Sequence, residues 1–541
     1  MEASNLTTEH RRSSRLSALS SARTRLRAAG GGELAPPALV AAIALAFMGI
    51  SLWWILNDHR LPNGDNGKHL LLAFGYHDTI LAGFPLSPLA QYNLYPPLVH
   101  YVGAFGSLVS GPSVVAAILS ENLVFVPLLA LGCYGAGRIA FGPWAGAMAA
   151  AFAFASPMIG SLFHVFMLDG PTTAMVAVTV WGLLASDRFS RVGVAALAGV
   201  AAGAGMYAKS TFPLFLIGIL AVMMLRGGWR NWRGWLAFGG VWFAITAPWY
   251  VKHWSDLAGQ TKGAAVGIQP YWYGNVPYPS RFSLDNFTWY GWNLVNNQLY
   301  LPLTIFLAVG IVYALWSWLA RKDPGYAPEL LAGGAMSYVA ISFITLDDPR
   351  YTLPGLVYAA VLGTGWIVRA KRPVRVLGVS VLVAVLILNT VMLNFAFPAK
   401  GSHSIELPNA VANPIASGQL VLSSSAGYIE GQPDPGPFTV LELLERARAD
   451  GARRVMFQPE SLNNGGYNLN GLGVFARDAG LAYLPPDPKL LERDSDIFVF
   501  RLTPTKQYPH PCIKSPTIAD GTWLYIQWGP TRPKPDIHCP R

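Results

Sequence analysis

Long apolar runs are the feature of this sequence that most restricts its fold. The run from Leu34 to Leu56 is long enough to cross a bilayer, and further runs of that kind follow before residue 397. Backbone groups inside a bilayer must be satisfied within the spanning structure, which leaves helices or a closed barrel. Continuous apolar runs do not supply the alternating pattern of barrel strands. We therefore predict a mostly α, polytopic helical membrane domain.

Composition and charge agree with this class. Hydrophobic residues make up 52% of the 541 residues and charged residues 13%. A net charge of +10 would indicate nucleic acid as a partner of a soluble protein. Here much of the positive charge lies in short loops and in the amino-terminal tail, so we interpret it as topology and predict no nucleic-acid partner.

The basic loops predict an orientation. Cytoplasmic loops of membrane proteins carry an excess of Lys and Arg. Placing the basic loops inside gives about eleven spans, with the amino terminus in the cytoplasm and the carboxyl terminus outside. Asp169, Lys209, Arg350 and two long loops, 57–113 and 250–297, then lie at the outer face. The loops placed inside are 187–191, 226–233, 321–322 and 369–375.

The composition divides the chain into three parts. Residues 1–33 are rich in Ser and Arg without apolar periodicity, which predicts a disordered cytoplasmic tail. Residues 34–397 form the membrane domain. Residues 398–541 have a soluble composition, and their alternating strand and helix patterns predict an extramembrane α/β domain ending in a proline-rich arm from about Tyr508. Cys512 and Cys539 could join in that arm if it lies in an oxidising compartment.

The stretch from Asn57 to Tyr101 concentrates polar chemistry between apolar segments. Asp65 is its central residue, because a carboxylate beside a membrane cavity can act as a general base towards a hydroxyl or hold a divalent cation. Lys68 and His69 nearby could hold an anion. An ordinary hydrated loop is the alternative, since loops collect Asp, Asn and Gly.

Three further ionisable residues lie at the predicted outer face, each with a plain alternative. Asp169 ends an apolar run, where a carboxylate is costly unless it is paired or hydrated, although it could also be a helix N-cap. Lys209 could bind an anion or extend its side chain to the interface. Arg350 stands beside Asp347 and Asp348, which would also suit a surface ion pair.

These residues fit one reaction. Transfer of a sugar from a lipid-linked phosphate needs cations for the departing phosphate, which Arg350 and Lys209 could supply. It also needs a base, which Asp65 could supply. The polyprenyl tail of such a donor would dissolve in the bilayer, and attack opposite the phosphate would invert the anomeric centre. The same predicted outer face also contains three tyrosines: Tyr92, Tyr95 and Tyr351.

The order of these motifs resembles the GT-C glycosyltransferases, above all the protein O-mannosyltransferases and the lipid A aminoarabinose transferases. An acidic outer loop is followed by YPPLVHY, by Asp169, by a Lys209 turn before TFPLFL and by PRYTLP. The resemblance runs from about residue 34 to residue 397. Where the mannosyltransferases carry an Asp-Glu pair, this chain has Asp65-Asn66, which leaves the acceptor type open.

The resemblance implies roles for individual residues. Asp65 would be the base or an acceptor-binding carboxylate, and Asp169 the second acidic position. Arg350 and Tyr351 match a pair near the donor phosphate, with Lys209 a looser match. Some members of the superfamily hold a divalent metal ion with the two acidic residues and others need none, so both alternatives stay open. We expect a bacterial inner membrane protein with its carboxyl-terminal domain in the periplasm.

Two other classes of function remain. A transporter or lipid flippase would carry ionisable residues near mid-membrane, where Glu121 is the nearest candidate. A non-catalytic sensor would use its outer domain to bind a ligand. For an enzyme, the acceptor could be a glycan, a lipid or a protein.

Overall fold

The computed structural model describes most of the membrane part and the secondary structure of the carboxyl-terminal part. The described residues are 34–60, 62, 64–90, 95–259, 283–320, 325–343, 348–407, 418–427, 440–449, 451–457, 469–484, 497–502, 513–514 and 523–528. The predicted tail 1–33, Tyr92, Asp347, Cys512 and Cys539 lie outside these residues.

Helices dominate the chain up to residue 395, as the apolar runs predict. A π-helical turn at Leu294–Leu299 joins two of them, and 3₁₀ turns lie at Phe212–Phe215, Gly228–Arg230 and Pro349–Gly355. The helices are α1 (Leu34–Asn57), α2 (Gly64–Leu81), α3 (Ser87–Ala90), α4 (Leu98–Ser110), α5 (Val114–Phe141), α6 (Pro143–Ala155), α7 (Pro157–Phe163), α8 (Asp169–Ala185), α9 (Val192–Ala208), α10 (Ile217–Leu225), α11 (Trp232–Lys252), α12 (Leu284–Asn293), α13 (Tyr300–Ala320), α14 (Ala327–Ser342), α15 (Leu356–Arg369), α16 (Arg372–Phe395), α17 (Val440–Ala449) and α18 (Leu469–Asp478).

The chain is an integral membrane protein. Among the described residues, 5 helical stretches are long and apolar enough to cross a bilayer, or 6 if the bent pair α6 and α7 counts as one span. The count of about eleven spans, which rests on charge as well as length, stays a prediction. The stretches are Leu34–Asn57, Val114–Phe141, Leu284–Ala320, Pro349–Arg369 and Arg372–Phe395.

Small residues let the central helices approach closely. A Cβ on Gly132 of α5 would lie 2.5 Å from the backbone of Ala177 in α8, so no larger residue fits there without a shift. Helix α6 is almost entirely buried and consists mainly of Ala, Gly and Phe. In a bilayer, where the hydrophobic effect does not bring helices together, such close van der Waals packing is a main source of helix association.

A break between α6 and α7 shapes the region next to the start of α8. The two helices are bent by 66°, because Pro157 cannot continue the backbone hydrogen bonding of α6. The Ser156 hydroxyl donates to the Gln298 carbonyl over 2.6 Å and accepts from the Ile159 N–H over 3.5 Å. Helix α7 then ends at Phe163, and a non-helical segment leads to Asp169.

The stretch 57–113 differs from the loop that we expected, since it contains the 18-residue helix α2 and the short helix α3. Leu70, Ala73, Phe74 and His77 are buried at helical spacing. Three glycines and several polar residues conceal this period in the sequence. Helix α4 begins directly after Pro97.

The carboxyl-terminal part has the predicted mixture of helices and strands. Strands β1 (Ser402–Glu406) and β2 (Gln419–Ser424) form an antiparallel pair. A second sheet has the order β4-β3-β5-β7-β6, with β3 parallel to β4 and β5, and β5 antiparallel to β7. These strands are β3 (Arg454–Phe457), β4 (Ala482–Leu484), β5 (Ile497–Leu502), β6 (Ile513–Lys514) and β7 (Trp523–Trp528).

One expectation for this part was wrong. We predicted an irregular arm after Tyr508, yet Trp523–Trp528 pairs with Ile497–Leu502 along its whole length. The segment reads WLYIQW, and aromatic and β-branched residues suit a pleated sheet. The prolines on either side of this segment argue against a strand in the sequence. Pairing with β5 nevertheless stabilises one.

Candidate active site

Four separate elements bring five charged side chains together, and we call this group the charge cluster: Asp65, Asp169, Lys209, Asp348 and Arg350. The Arg350 Nη2 lies 2.6 Å from the Asp65 Oδ2, and the Lys209 Nζ lies 2.5 Å from the Asp169 Oδ1. The Arg350 Nε is 3.8 Å from the Asp169 Oδ2. Arg350 therefore connects the two aspartates that the sequence singled out.

Local structure explains how each acidic side chain reaches the cluster. Asp65 lies in the first turn of α2, and Asp169 is the first residue of α8. The N-cap of α8 is Leu168, which makes no side-chain cap, so Asp169 does not have the capping role considered above. Carboxylates at helix N-termini interact favourably with the helix dipole.

The cations reach the cluster from turns. Lys209 is the C-cap of α9 in an extended conformation, and its ammonium group pairs with Asp169 instead of reaching towards the interface. Arg350 lies in the 3₁₀ turn after Asp348, whose Oδ1 accepts the Arg350 backbone N–H over 3.1 Å. The Arg350 Nε also lies 3.0 Å from the Asp348 Oδ2. Both residues are buried, so this is not a surface ion pair.

Exposure differs sharply within the cluster. The Asp65 side chain is 41% exposed, whereas that of Arg350 is 11% exposed and that of Asp169 3% exposed. A buried charge is tolerated only when it is paired, so Asp169 depends on its cations. Asp65 is the cluster carboxylate that a molecule entering from outside can reach.

Aromatic rings lie against the cations. The Lys209 ammonium is 4.7 Å and the Arg350 guanidinium 5.7 Å from the centre of the Tyr351 ring. The Lys68 ammonium is 5.1 Å from the centre of the Tyr95 ring and makes no ion pair within the described residues. Such contacts hold a cation in place without neutralising it.

His69 is buried beside the cluster. Its Nδ1 lies 3.1 Å from the His100 Nε2, and its ring packs edge-on against Tyr95 at 4.5 Å. Burial, followed by the charges of His100, Arg350, Lys209 and Lys68, lowers the pKa of the His69 imidazole well below its ordinary value. His69 is therefore neutral at pH 7 and offers hydrogen bonds but no charge.

Several buried amides hold the cluster in place, and of these only Asn66 was noted in the sequence. The Asn66 Oδ1 accepts the Phe166 N–H over 3.1 Å, and the Asn122 Nδ2 donates to the Phe163 carbonyl over 3.0 Å. Both fix the segment before Asp169. The Gln298 Nε2 donates to the Pro349 carbonyl over 2.6 Å and so fixes the turn that carries Arg350. Only the position of Asn66 beside Asp65 could have indicated one of them.

The described residues do not favour a metal site. They contain no group of three or more His, Cys, Asp or Glu side chains arranged to hold an ion. The carboxylates of Asp65 and Asp169 already face Arg350 and Lys209. A divalent cation between them would have to displace these positive groups.

Comparison with known proteins finds a sequence similarity in the first half of the chain. Residues 95–251 match the profile of a family described as dolichyl-phosphate-mannose-protein mannosyltransferase. The matched segment contains Tyr95, Asp169 and Lys209, whereas Asp65 and Arg350 lie outside it. A search of curated protein sequences finds no match.

Several solved structures align with this chain. The apo structure of ArnT from Cupriavidus metallidurans aligns with a TM-score of 0.51 and 17% identity, over 86% of this chain and 92% of that chain. ArnT bound to undecaprenyl phosphate gives 0.47 and 19%, over 82% and 74%. The apo oligosaccharyltransferase of Archaeoglobus fulgidus gives 0.46 and 12%, over 84% and 65%. The family match and the fold shared with apo ArnT confirm the predicted resemblance to the GT-C superfamily.

Proposed function

We propose that this chain is a membrane glycosyltransferase that transfers a hexosyl or pentosyl unit from a polyprenyl-phosphate donor to an acceptor at the outer face of a bacterial inner membrane. The acceptor is a glycan, a lipid or a protein. The family match, the shared fold and the charge cluster support this proposal. The transporter alternative lacks such support, because Asp65, Asp169, Lys209 and Arg350 all lie at helix ends or in turns.

The observation that carries the proposal is the convergence of Arg350 and Lys209 beside two carboxylates at the ends of apolar helices. A polyprenyl phosphate presents an anion at the membrane surface and an apolar tail to the bilayer. A guanidinium and an ammonium group bind phosphate through charge-assisted hydrogen bonds. The Lys68 ammonium nearby, which makes no ion pair among the described residues, adds positive charge for the same anion.

The two aspartates differ in burial, and we infer different roles for them from this difference. Asp169 is almost fully buried and faces both cations, so we assign it the role of holding them in place. Asp65 is the more exposed carboxylate, and a donor phosphate would compete with it for Arg350. Phosphate binding would then release Asp65 to accept the proton of the acceptor.

The transfer step follows from these roles. The acceptor oxygen or nitrogen attacks the anomeric carbon from the side opposite the phosphate and inverts its configuration. Its proton goes to Asp65, while the bond to the phosphate oxygen breaks and the polyprenyl phosphate leaves with the electron pair. Arg350 and Lys209 stabilise the negative charge that develops on this leaving group. Tyr351 supports both cations from one side.

The proposal is tested by screening the purified protein in nanodiscs against a set of labelled polyprenyl-phosphate sugars. Wild type should release polyprenyl phosphate from at least one donor. Asp65→Asn should lower that rate by about 10²–10⁴-fold, the range of general-base catalysis, with folding unchanged. Asp285→Asn changes an exposed carboxylate in the first turn of α12 and should behave as wild type. Full activity of Asp65→Asn would count decisively against the proposal.

A further inference from the structure

A cavity separate from the charge cluster lies between the membrane domain and the carboxyl-terminal domain. Its volume is about 240 Å³, and its walls come from the end of α1, the start of α5, and helices α17 and α18. Asn66 forms part of the wall, and Asn66 is the residue after Asp65. The cavity therefore adjoins the helix that carries the proposed base.

The carboxyl-terminal domain is fixed to the membrane domain at this place. Arg477 pairs with Asp78 at the far end of α2, and the Asp478 Oδ2 accepts the Val114 N–H at the start of α5 over 3.2 Å. The contact is close elsewhere as well, since a Cβ on Gly67 would lie 2.9 Å from the backbone of Gly471. The cavity thus has walls from two domains that contact each other directly.

The charge on the walls disfavours an anion. Asp58 and Arg60 neutralise each other across 2.7 Å. The carboxyl-terminal domain contributes two acidic side chains, Glu442 and Asp478. Among the described residues no lysine lines the cavity, so a phosphate or carboxylate group would meet net negative charge.

Polar and apolar groups are mixed in a way that suits a hydroxylated ligand. Trp54 lines the cavity and is buried, and its indole N–H has no hydrogen-bond acceptor among the described residues. Phe475 and Ile118 supply apolar surface, while carboxylates and Asn66 offer hydrogen-bond partners. Pockets for drug-sized ligands span about 300–1,000 Å³, so this cavity suits a single ring rather than a whole lipid.

We propose that this cavity binds one uncharged sugar unit of a carbohydrate acceptor and presents it towards Asp65. This inference rests on the proposed function, because only a glycosyltransferase would use the bound sugar as an acceptor. The cavity, its walls and their charge do not depend on that function. The acceptor would then be a glycan or a glycolipid whose bound unit carries hydroxyl groups and no phosphate. The carboxyl-terminal domain would take part in acceptor selection.

A matched pair of substitutions tests the site. Glu442 lines the cavity and Glu445, one turn later on α17, does not, and both are exposed. Glu442→Trp and Glu445→Trp each remove one negative charge and add one indole, but only the first would fill the cavity. Because both positions are exposed, neither change should prevent folding.

Binding is measured on the full-length protein in nanodiscs by saturation-transfer NMR with octyl β-D-glucoside as the uncharged probe and octyl β-D-glucuronide as the anionic one. We expect wild type and Glu445→Trp to bind the glucoside equally, and Glu442→Trp to lose about tenfold or more in affinity. The glucuronide should bind at least about tenfold more weakly than the glucoside.

Several outcomes would overturn the inference. They are no glucoside binding to wild type, equal affinity of the two tryptophan variants, or glucuronide binding as strong as that of the glucoside. Undecaprenyl phosphate binding is measured in parallel and should be the same in all three proteins. If undecaprenyl phosphate fails to bind while the glucoside distinguishes the variants, the proposed donor site is wrong and the sugar site stands.

Discussion

Arg350 is the side chain on which the proposed chemistry depends most. It contacts Asp65 directly, lies close to Asp169 and Asp348, and packs against Tyr351. Its planar group presents two parallel N–H donors to a carboxylate or phosphate in a fixed geometry that an ammonium group does not have. This geometry leads to the first residue-level prediction.

Arg350→Lys should lower the transfer rate by about 10²–10³-fold, the cost of removing one donor to a developing negative charge. Arg350→Gln should lower it further, because the charge is lost as well. Initial rates at saturating donor measure both effects. A rate for Arg350→Lys equal to that of wild type would show that only the charge at this position matters.

Asp478 gives a prediction of pH dependence. Burial, with Glu445 acting in the same direction, raises the pKa of the Asp478 carboxyl from its ordinary 3.8 to about 6, although the Val114 N–H opposes the change. A raised pKa means that the folded protein binds this proton more tightly than the unfolded chain does. The resulting stability is complete below about pH 3.8 and is lost as the pH rises through about 6.

We therefore expect the contact of α18 with the start of α5 to weaken between pH 4 and pH 7 by about 2 kcal/mol. Hydrogen exchange of the α18 amides in the full-length protein measures this contact. Asp478→Asn keeps an oxygen for the Val114 N–H but cannot titrate, so its exchange should lack this pH dependence. An equal pH dependence in both proteins would assign the effect to another group.

Single residues also show where prediction from sequence reaches its limit. Asp169 stood out because a charged residue at the end of an apolar run is costly unless it is paired or hydrated. Asp65, Lys209 and Arg350 stood out because the basic loops predict that they lie at the same face of the membrane as Asp169. Gln298 did not stand out, because an amide side chain among other polar residues is common in any sequence. Its full burial and its bond to Pro349 depend on packing between distant segments.

Among the elements, helix α2 was not predicted from the sequence, although it carries Asp65 of the charge cluster. Its apolar residues follow a helical period, but Gly64, Gly67 and Gly75 lower the helix propensity of the segment. Contact with α18 compensates for that loss. The longer apolar helices were predictable because bilayer thickness alone fixes their minimum length.

Two of the three glycines in α2, Gly67 and Gly75, provide a matched test of this contact. A Cβ at Gly67 would lie 2.9 Å from the Gly471 nitrogen and 3.0 Å from the Pro62 carbonyl oxygen, whereas a Cβ at Gly75 meets nothing within 4 Å. We expect Gly67→Ala to destabilise the contact by about 1–3 kcal/mol through overpacking. Gly75→Ala should be neutral, or stabilise α2 by up to about 1 kcal/mol.

Exchange of the α2 and α18 amides measures both variants. Faster exchange of both helices in Gly67→Ala, and in that variant alone, is the expected result. Equal exchange in the two variants would show that α18 does not constrain α2. The accompanying transfer rate would report whether this contact also positions Asp65.

For the whole molecule, the predicted fold class agrees with the structure and with the fold of apo ArnT. Sequence alone could predict this much because lipid restricts spanning segments so strongly. It could not predict how α18 packs on α2, since the two helices are far apart in the sequence and neither pattern indicates its partner. Orientation in the membrane remains a prediction from charge.

Labelling tests that orientation. In a background with Cys512 and Cys539 replaced by Ser, Asp285→Cys should react with a membrane-impermeant maleimide added outside intact cells. Arg230→Cys, at an exposed position in a predicted cytoplasmic loop, should react only after permeabilisation. The reverse pattern would place the proposed site on the cytoplasmic side.

The most direct test of the central claim is a structure of this protein in nanodiscs with undecaprenyl phosphate. We predict that the phosphate lies within about 3 Å of the Arg350 guanidinium and the Lys209 ammonium, with Asp65 released from Arg350 and the tail against the apolar helices. A phosphate bound elsewhere, with the pair of Asp65 and Arg350 intact, would contradict the account.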